Sequence, residues 1–138
     1  MINVTIQGQP QGKGRVKVAL RGKYAHAYTP EKTAIYENLV KLSYQQKYKQ
    51  DSNNTKPLIV NIKAYYKIPA MSKVKTQKCI DGLVRPITKP DLDNVSKCIL
   101  DALNGIAYKD DSQIVDLHIT KHYSDNPRVE VIIEEIDK

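Results

Sequence analysis

The sequence predicts an α+β fold: a single domain on a mixed β-sheet with two main helices, in the order β-α-β-α-β-β, with an extra ribbon near residues 15–28. Three observations predict it. Apolar and polar residues alternate strictly in several short segments, as half-buried strands require. Two segments between them repeat apolar residues at helical spacing. The 138 residues suit one core, and no break in composition marks a second domain, so residues 1–138 read as one unit.

Ile2, Val4 and Ile6 alternate with polar neighbours and form a first strand ended by Gly8. Residues 9–28 place Lys13, Arg15, Lys17, Arg21 and Lys23 among glycines and tyrosines, which suits an exposed loop or ribbon. Gly12 and Gly14 let backbone amides approach an anion, but no GKS or GKT follows, so this is not a Walker loop. Thr29-Pro30 starts a helix: the threonine oxygen caps free amides, and proline at the first helical position loses no intrahelical bond. The helix is expected to run to about Tyr48, with Ile35, Leu39 and Leu42 as its buried stripe. After the polar break QDSNNTK, Leu58, Val60, Ile62, Ala64, Tyr66 and Ile68 face one side of a strand, with lysines on the other.

Residues 69–89 hold Lys73, Lys75, Lys78, Arg85 and Lys89 with two prolines and no clear period, and read as a mobile basic loop. The second helix follows KPDLDN, with Leu92, Val95, Ile99, Ala102 and Leu103 as its apolar stripe and Gly105 past its end. Segments 114–123 and 129–136 read as a strand pair joined through the turn SDNP.

No apolar run approaches the ~20 residues of a membrane-spanning helix, and the alternating N-terminus lacks the apolar core of a signal peptide, so a cytoplasmic protein is expected. Cys79 and Cys98 lie too far apart for a CxxC pair, and no Cys or His spacing suits zinc. The net charge of +7 is unevenly distributed: residues 1–89 carry 17 Lys and Arg against 4 Asp and Glu, whereas residues 90–138 carry 5 against 11. A basic front attracts a polyanion, nucleic acid being the usual one, although a surface charge that keeps the protein soluble explains the imbalance equally well.

The acids in a basic protein need their own account. Asp91 and Asp93 would lie ~200° apart within a helix, so they converge only if the helix starts at or after their motif. Lys97 and Asp101 follow Asp93 at spacings of four, which also suits a plain salt-bridged helix face. Asp110 and Asp111 occupy the turn into the next strand, where adjacent acids are common. Were one of them to meet Asp91 and Asp93, the mutual repulsion would call for a divalent cation, and carboxylate oxygens suit Mg²⁺ or Mn²⁺. Such an ion beside a basic surface points to phosphodiester hydrolysis, with Lys97 placed to neutralise charge on the reacting phosphate.

KPDLDN, Lys97, DALNG at 101–105 and YKDDSQ at 108–113, with the opening GKGR segment, YTPEKTAIYE and the strand carrying Lys121, resemble the RusA family of Holliday junction resolvases across nearly the whole chain. The resemblance implies a RusA-like endonuclease domain: a homodimeric, Mg²⁺-dependent endodeoxyribonuclease making paired nicks in four-way DNA junctions, in recombination and repair. It implies Asp91, Asp93 and Asp111 as catalytic metal ligands, Lys97 as the functional lysine, and Asn94, Asp101 and Asp110 in support. Lys13, Arg15, Lys17, Lys73, Lys75, Arg85 and Lys89 are the expected DNA contacts. Where some relatives have an arginine-rich run before the first aspartate, this chain has Arg85-Pro-Ile-Thr-Lys89. Two other readings stay open: a nuclease preferring flaps or forks, and a non-catalytic nucleic-acid-binding module whose acids serve as caps and salt-bridge partners.

Overall fold

The computed structural model describes residues 1–14, 17–22, 24–28 and 30–136. Arg15, Lys23 and the expected cap Thr29 lie outside them, as do the side chains of Lys17 and Arg21. Within them the chain forms β1 (Ile2–Gln7), β2 (Lys17–Arg21), β3 (Tyr24–Tyr28), α1 (Glu31–Gln45), β4 (Leu58–Lys67), α2 (Lys73–Ile80), α3 (Leu92–Leu103), a 3₁₀ turn (Asp111–Gln113), β5 (Ile114–Ser124) and β6 (Arg128–Glu135). The expected α+β class holds, and β2 and β3 pair as a separate two-stranded ribbon.

The main sheet is mixed, in the order β1-β6-β4-β5. β5 lies parallel to β4, whereas β6 is antiparallel to both β4 and β1. The expected pairing of β5 with β6 is therefore corrected: β4 separates them, and the short connection through Asp125, Asn126 and Pro127 passes over its end. Three linking residues can bridge two inter-strand spacings of ~4.8 Å each. A parallel β4–β5 pair needs a long crossover, supplied here by the segment carrying α2 and α3.

One sheet face is buried beneath α1 and α3. Val4, Ile6, Leu58, Val60, Ile62, Ala64, Tyr66, Val129, Val131 and Ile133 meet Val95, Cys98, Ile99, Ala102 and Leu103 of α3. From α1, however, the core takes Tyr36, Val40 and Tyr44, with Thr33 buried beside them. The expected stripe Ile35, Leu39 and Leu42 is exposed and faces away. The helix carries two apolar stripes about half a turn apart, and the tyrosine-bearing one is the stripe packed into the core. It also starts one residue later than expected, with Pro30 as its extended N-cap, and stops at Gln45.

The stretch expected to be a mobile loop contains α2. Ser72 caps it by accepting from the Lys75 amide at 3.3 Å, and Cys79 is its one buried residue, which explains why no apolar period announced it. Both cysteines are buried and free. Among the described residues no helix is long and apolar enough to cross a membrane.

Candidate active site

The KPDLDN motif lies at the start of α3. Asp91 is its N-cap, with extended backbone at φ −68° and ψ 155°, and Asp93 sits in the first turn. The helix thus begins between the two acids, and both lie at its amino end, where the macrodipole favours negative charge. Asp91 makes no capping hydrogen bond. Asp91, Asp93 and Lys97 are all exposed. The salt bridge that spacing offered Lys97, to Asp93 or Asp101, is not formed, and Asp101 pairs with Lys13 instead.

Lys13, expected to contact DNA, is tied within the chain. Its Nζ lies 3.2 Å from Glu37 Oε1 on α1 and 3.3 Å from Asp101 Oδ2 on α3, and its backbone N–H donates to the Asn94 carbonyl at 3.0 Å. Burial alone would lower its pKa; hydrogen bonds and charge from Glu37, then Asp101, outweigh that and hold it above the ordinary lysine value. The loop around Lys13 is pressed onto the motif. A Cβ at Gly12 would stand 3.0 Å from Pro90 Cβ and 3.1 Å from Asn94 Cβ, so this close approach requires glycine. The result is an open cleft of about 450 Å³, with Gln11, Gly12 and Lys13 on one wall and Lys89, Pro90, Asp91 and Asn94 on the other.

Two anchors from the sheet hold the approach to Asp91, and sequence reasoning missed both. The Tyr66 hydroxyl donates to the Pro90 carbonyl, and Lys121 Nζ donates to the Thr88 carbonyl at 2.7 Å. Burial, and after it the charge of Asp91, pushes the Tyr66 phenol up to about 12, so it is a donor at neutral pH. In the sequence Tyr66 reads as one more core position, and only the lysine at 121, facing the same side as Ile119 and Tyr123, could have signalled an anchor.

Asp110 and Asp111 have different surroundings. Asp110 caps the 3₁₀ turn, accepting from the Ser112 amide and hydroxyl and from Asn104 Nδ2, while Gln113 accepts in return from the Asp110 amide. The Ser112 hydroxyl first, with Asn104 and the turn amides, holds the Asp110 carboxyl below its ordinary value. The Asp111 carboxylate has no hydrogen-bond or ion-pair partner among the described residues. The corner carrying it lies beside the carboxyl end of α3, as the Asn104–Asp110 contact shows.

The expected convergence of Asp111 with Asp91 and Asp93 therefore does not occur within one chain. α3 spans 12 residues, so its two ends lie about 18 Å apart at ~1.5 Å per residue. The sheet agrees: Tyr66, at one end of β4, holds the Pro90 carbonyl, whereas Gln113 donates to the Lys56 carbonyl before the other end. Among the described residues no three His, Cys, Asp or Glu side chains gather closely enough to hold a metal ion.

Of the basic residues, Lys89 lines the cleft at the amino end of α3. Lys73 and Lys75 are exposed on α2, and Arg85 and Lys89 are exposed on the segment leading to Asp91. Arg85 Nε also donates to the Lys121 carbonyl at 2.7 Å. Between Arg85 and Lys89, Ile87 is 95% exposed. Asn94 lines the cleft, and Lys17 belongs to the ribbon.

Residues 7–134 match the family model described as "Endodeoxyribonuclease RusA". The chain is also 41% identical over 138 residues to the "Uncharacterized protein YqaN" of Bacillus subtilis (strain 168), an alignment covering 98% of this chain and 96% of that protein.

Proposed function

The chain belongs to the RusA family of endodeoxyribonucleases, and from that premise we propose that it is a Mg²⁺-dependent nuclease that resolves four-way DNA junctions as a homodimer by paired nicks. One observation carries the reading. Along α3 and the turn after it, Asp101 and Glu37 pair with Lys13 and Asp110 caps its own turn, whereas the side chains of Asp91, Asp93, Lys97 and Asp111 keep no hydrogen-bond or ion-pair partner among the described residues. A capped, salt-bridged helix would have used them.

Asp91 and Asp93 are the ligands available at one helix end, and hard carboxylate oxygens suit Mg²⁺ or Mn²⁺, which commonly take one or two carboxylates together with water and phosphate. Asp111 joins them from a second copy, since a two-fold axis that brings one subunit's Asp111 corner to the other's α3 does so reciprocally, giving two equal sites for two symmetric nicks. A bound Mg²⁺ supplies Lewis-acid polarisation and lowers the pKa of a water. Lys97, one helical turn beyond Asp93, offsets negative charge on the reacting phosphate. Lys73, Lys75, Arg85 and Lys89 grip neighbouring phosphates, so binding weakens steeply with salt.

Subunit mixing tests this. Asp93→Asn and Asp111→Asn should each bind a synthetic four-way junction but not cut it. Co-refolded, they should regain single nicking with Mg²⁺ at about a quarter of wild-type sites, because half the random dimers are mixed and each holds one intact site. No recovery sinks the shared site. Full activity of Asp93→Asn sinks the metal mechanism, and a wild type that binds but cuts no branched DNA favours a binding module. Faster cutting of flaps or forks reassigns the substrate.

A further inference from the structure

We propose that Tyr66 and Lys121 are positioning residues for Asp91, holding the Thr88–Pro90 backbone from the sheet so that the first carboxylate of the cleft is aimed; this rests on the reading of Asp91 as a metal ligand. The need for an external anchor is visible in the helix itself. Asp91 makes no capping hydrogen bond that would orient its side chain, so its direction follows from the backbone that delivers it. That backbone arrives through a segment with little burial of its own, since α2 buries only Cys79 and, between it and Pro90, only Pro86 is buried.

The anchors come from adjacent strands. Tyr66 stands near the end of β4, its ring 1% exposed, and its hydroxyl donates to the Pro90 carbonyl, the peptide that enters Asp91. Lys121 pairs with Ala64 across the β4–β5 ladder. Its ammonium donates to the Thr88 carbonyl at 2.7 Å and lies 5.0 Å from the centre of the Tyr66 ring. The Lys121 carbonyl in turn accepts from Arg85 Nε at 2.7 Å, fixing the far end of the same segment. Packing alone would be served by Phe at 66 and by an apolar residue at 121, because a lysine on the helix-covered side of a strand loses hydration and rotamer freedom. Each polar tip instead ends on a carbonyl within three residues of Asp91.

Tyr66→Phe and Lys121→Met test the inference, with Lys121→Arg as the variant that keeps a donor. Mn²⁺ binding to the full-length protein is measured by calorimetry, Mg²⁺ dependence by junction cleavage, and junction affinity in EDTA by anisotropy. Outer partners of metal ligands typically contribute about 10–100-fold in affinity. Mn²⁺ affinity should therefore fall about 10-fold in both variants. The Mg²⁺ needed for half-maximal cleavage should rise in step, junction affinity should stay within about twofold, and Lys121→Arg should recover most of the loss. Unchanged Mn²⁺ affinity and Mg²⁺ dependence in folded variants overturn the inference. So does loss of fold in both Tyr66→Phe and Lys121→Met, which would make the pair structural supports; if only Tyr66→Phe unfolds, Lys121→Met decides. A wild type that neither binds Mn²⁺ nor cuts overturns the underlying reading of Asp91 instead.

Discussion

Replacing Lys13 by Met separates the internal tie that the structure shows from the DNA contact that the sequence leads one to expect. The Lys13, Glu37 and Asp101 side chains are 19%, 15% and 33% exposed, so the substitution leaves two carboxylates largely shielded from water and without their shared cation. Hydrogen bonds to charged groups contribute ~1.5–3 kcal/mol, and breaking a fully buried pair costs ~3–5 kcal/mol. The partial exposure of Asp101 puts the expected loss near the lower range, about 2 kcal/mol. For a domain of this size that lowers Tm by roughly 6–8 °C. Because the folded pKa of Lys13 is raised, its contribution is complete below the ordinary value of 10.5 and fades only as pH climbs through the higher folded value. The stability gap between wild type and Lys13→Met should thus be flat from neutral pH to 10.5 and close above it. Thermal melts across that range give one measurement, and the salt dependence of junction binding gives the other. A lysine on a phosphate contributes ~0.9 to the slope of log affinity against log salt. Lys13→Met should leave that slope alone; an unchanged Tm with a slope reduced by about one refutes the tie.

Tyr36 carries a buried hydroxyl with no hydrogen-bond partner among the described residues. Tyr36→Phe should therefore hold Tm or raise it, by up to ~1–2 kcal/mol in stability, and a clear loss in the melt would reveal a hidden partner. Gly12→Ala forces a methyl against Pro90 and Asn94. It should cost about 1–3 kcal/mol and slow cleavage more than it weakens junction binding; wild-type Tm and rate together would refute the close approach. Metal removal should leave the fold intact, since Asp91, Asp93 and Asp111 are absent from the core. For a Kd on the order of 1 mM, 10 mM Mg²⁺ should add about 1.4 kcal/mol to the wild type. Asp93→Asn should lack that gain, and equal Mg²⁺ shifts in both proteins would argue against the site.

Where a strand or helix shows one apolar face, the sequence reads directly. β1, β4 and α3 follow their alternation or stripe because Leu, Ile and Val there meet a single core. α1 misleads because it has two stripes, and by residue type Ile35, Leu39 and Leu42 outrank Thr33, Tyr36, Val40 and Tyr44. The tyrosines are nevertheless buried, with the Tyr44 hydroxyl satisfied by the Lys49 carbonyl at 3.1 Å. Strand order is illegible for another reason. SDNP has the chemistry of a tight turn, but whether β4 slips between β5 and β6 depends on contacts about 60 residues away in the chain. The candidate site was legible as composition, in the DLDN and DD acids, while the arrangement that separates them was not.

That separation follows from what α3 must do. Its apolar stripe has to cross the sheet to cover the core beneath, and a helix long enough to do so carries the residues before it and after it to opposite edges of the domain. The cis arrangement of three acids could be rescued within one chain only by a long return loop, yet Tyr108 is buried with its hydroxyl on the Leu100 carbonyl, and Lys109 is tied to Asn54. The return is short and fixed. On the proposed reading, the unpartnered carboxylates at the two ends of α3 are complementary halves of one arrangement. In the proposed dimer an isologous pair would satisfy both halves at once, because a two-fold operation that brings the second subunit's Asp111 to the first subunit's Asp91 also supplies the reverse. If the proposed three-carboxylate site exists, the length of α3, set by core coverage, requires a second copy to complete it.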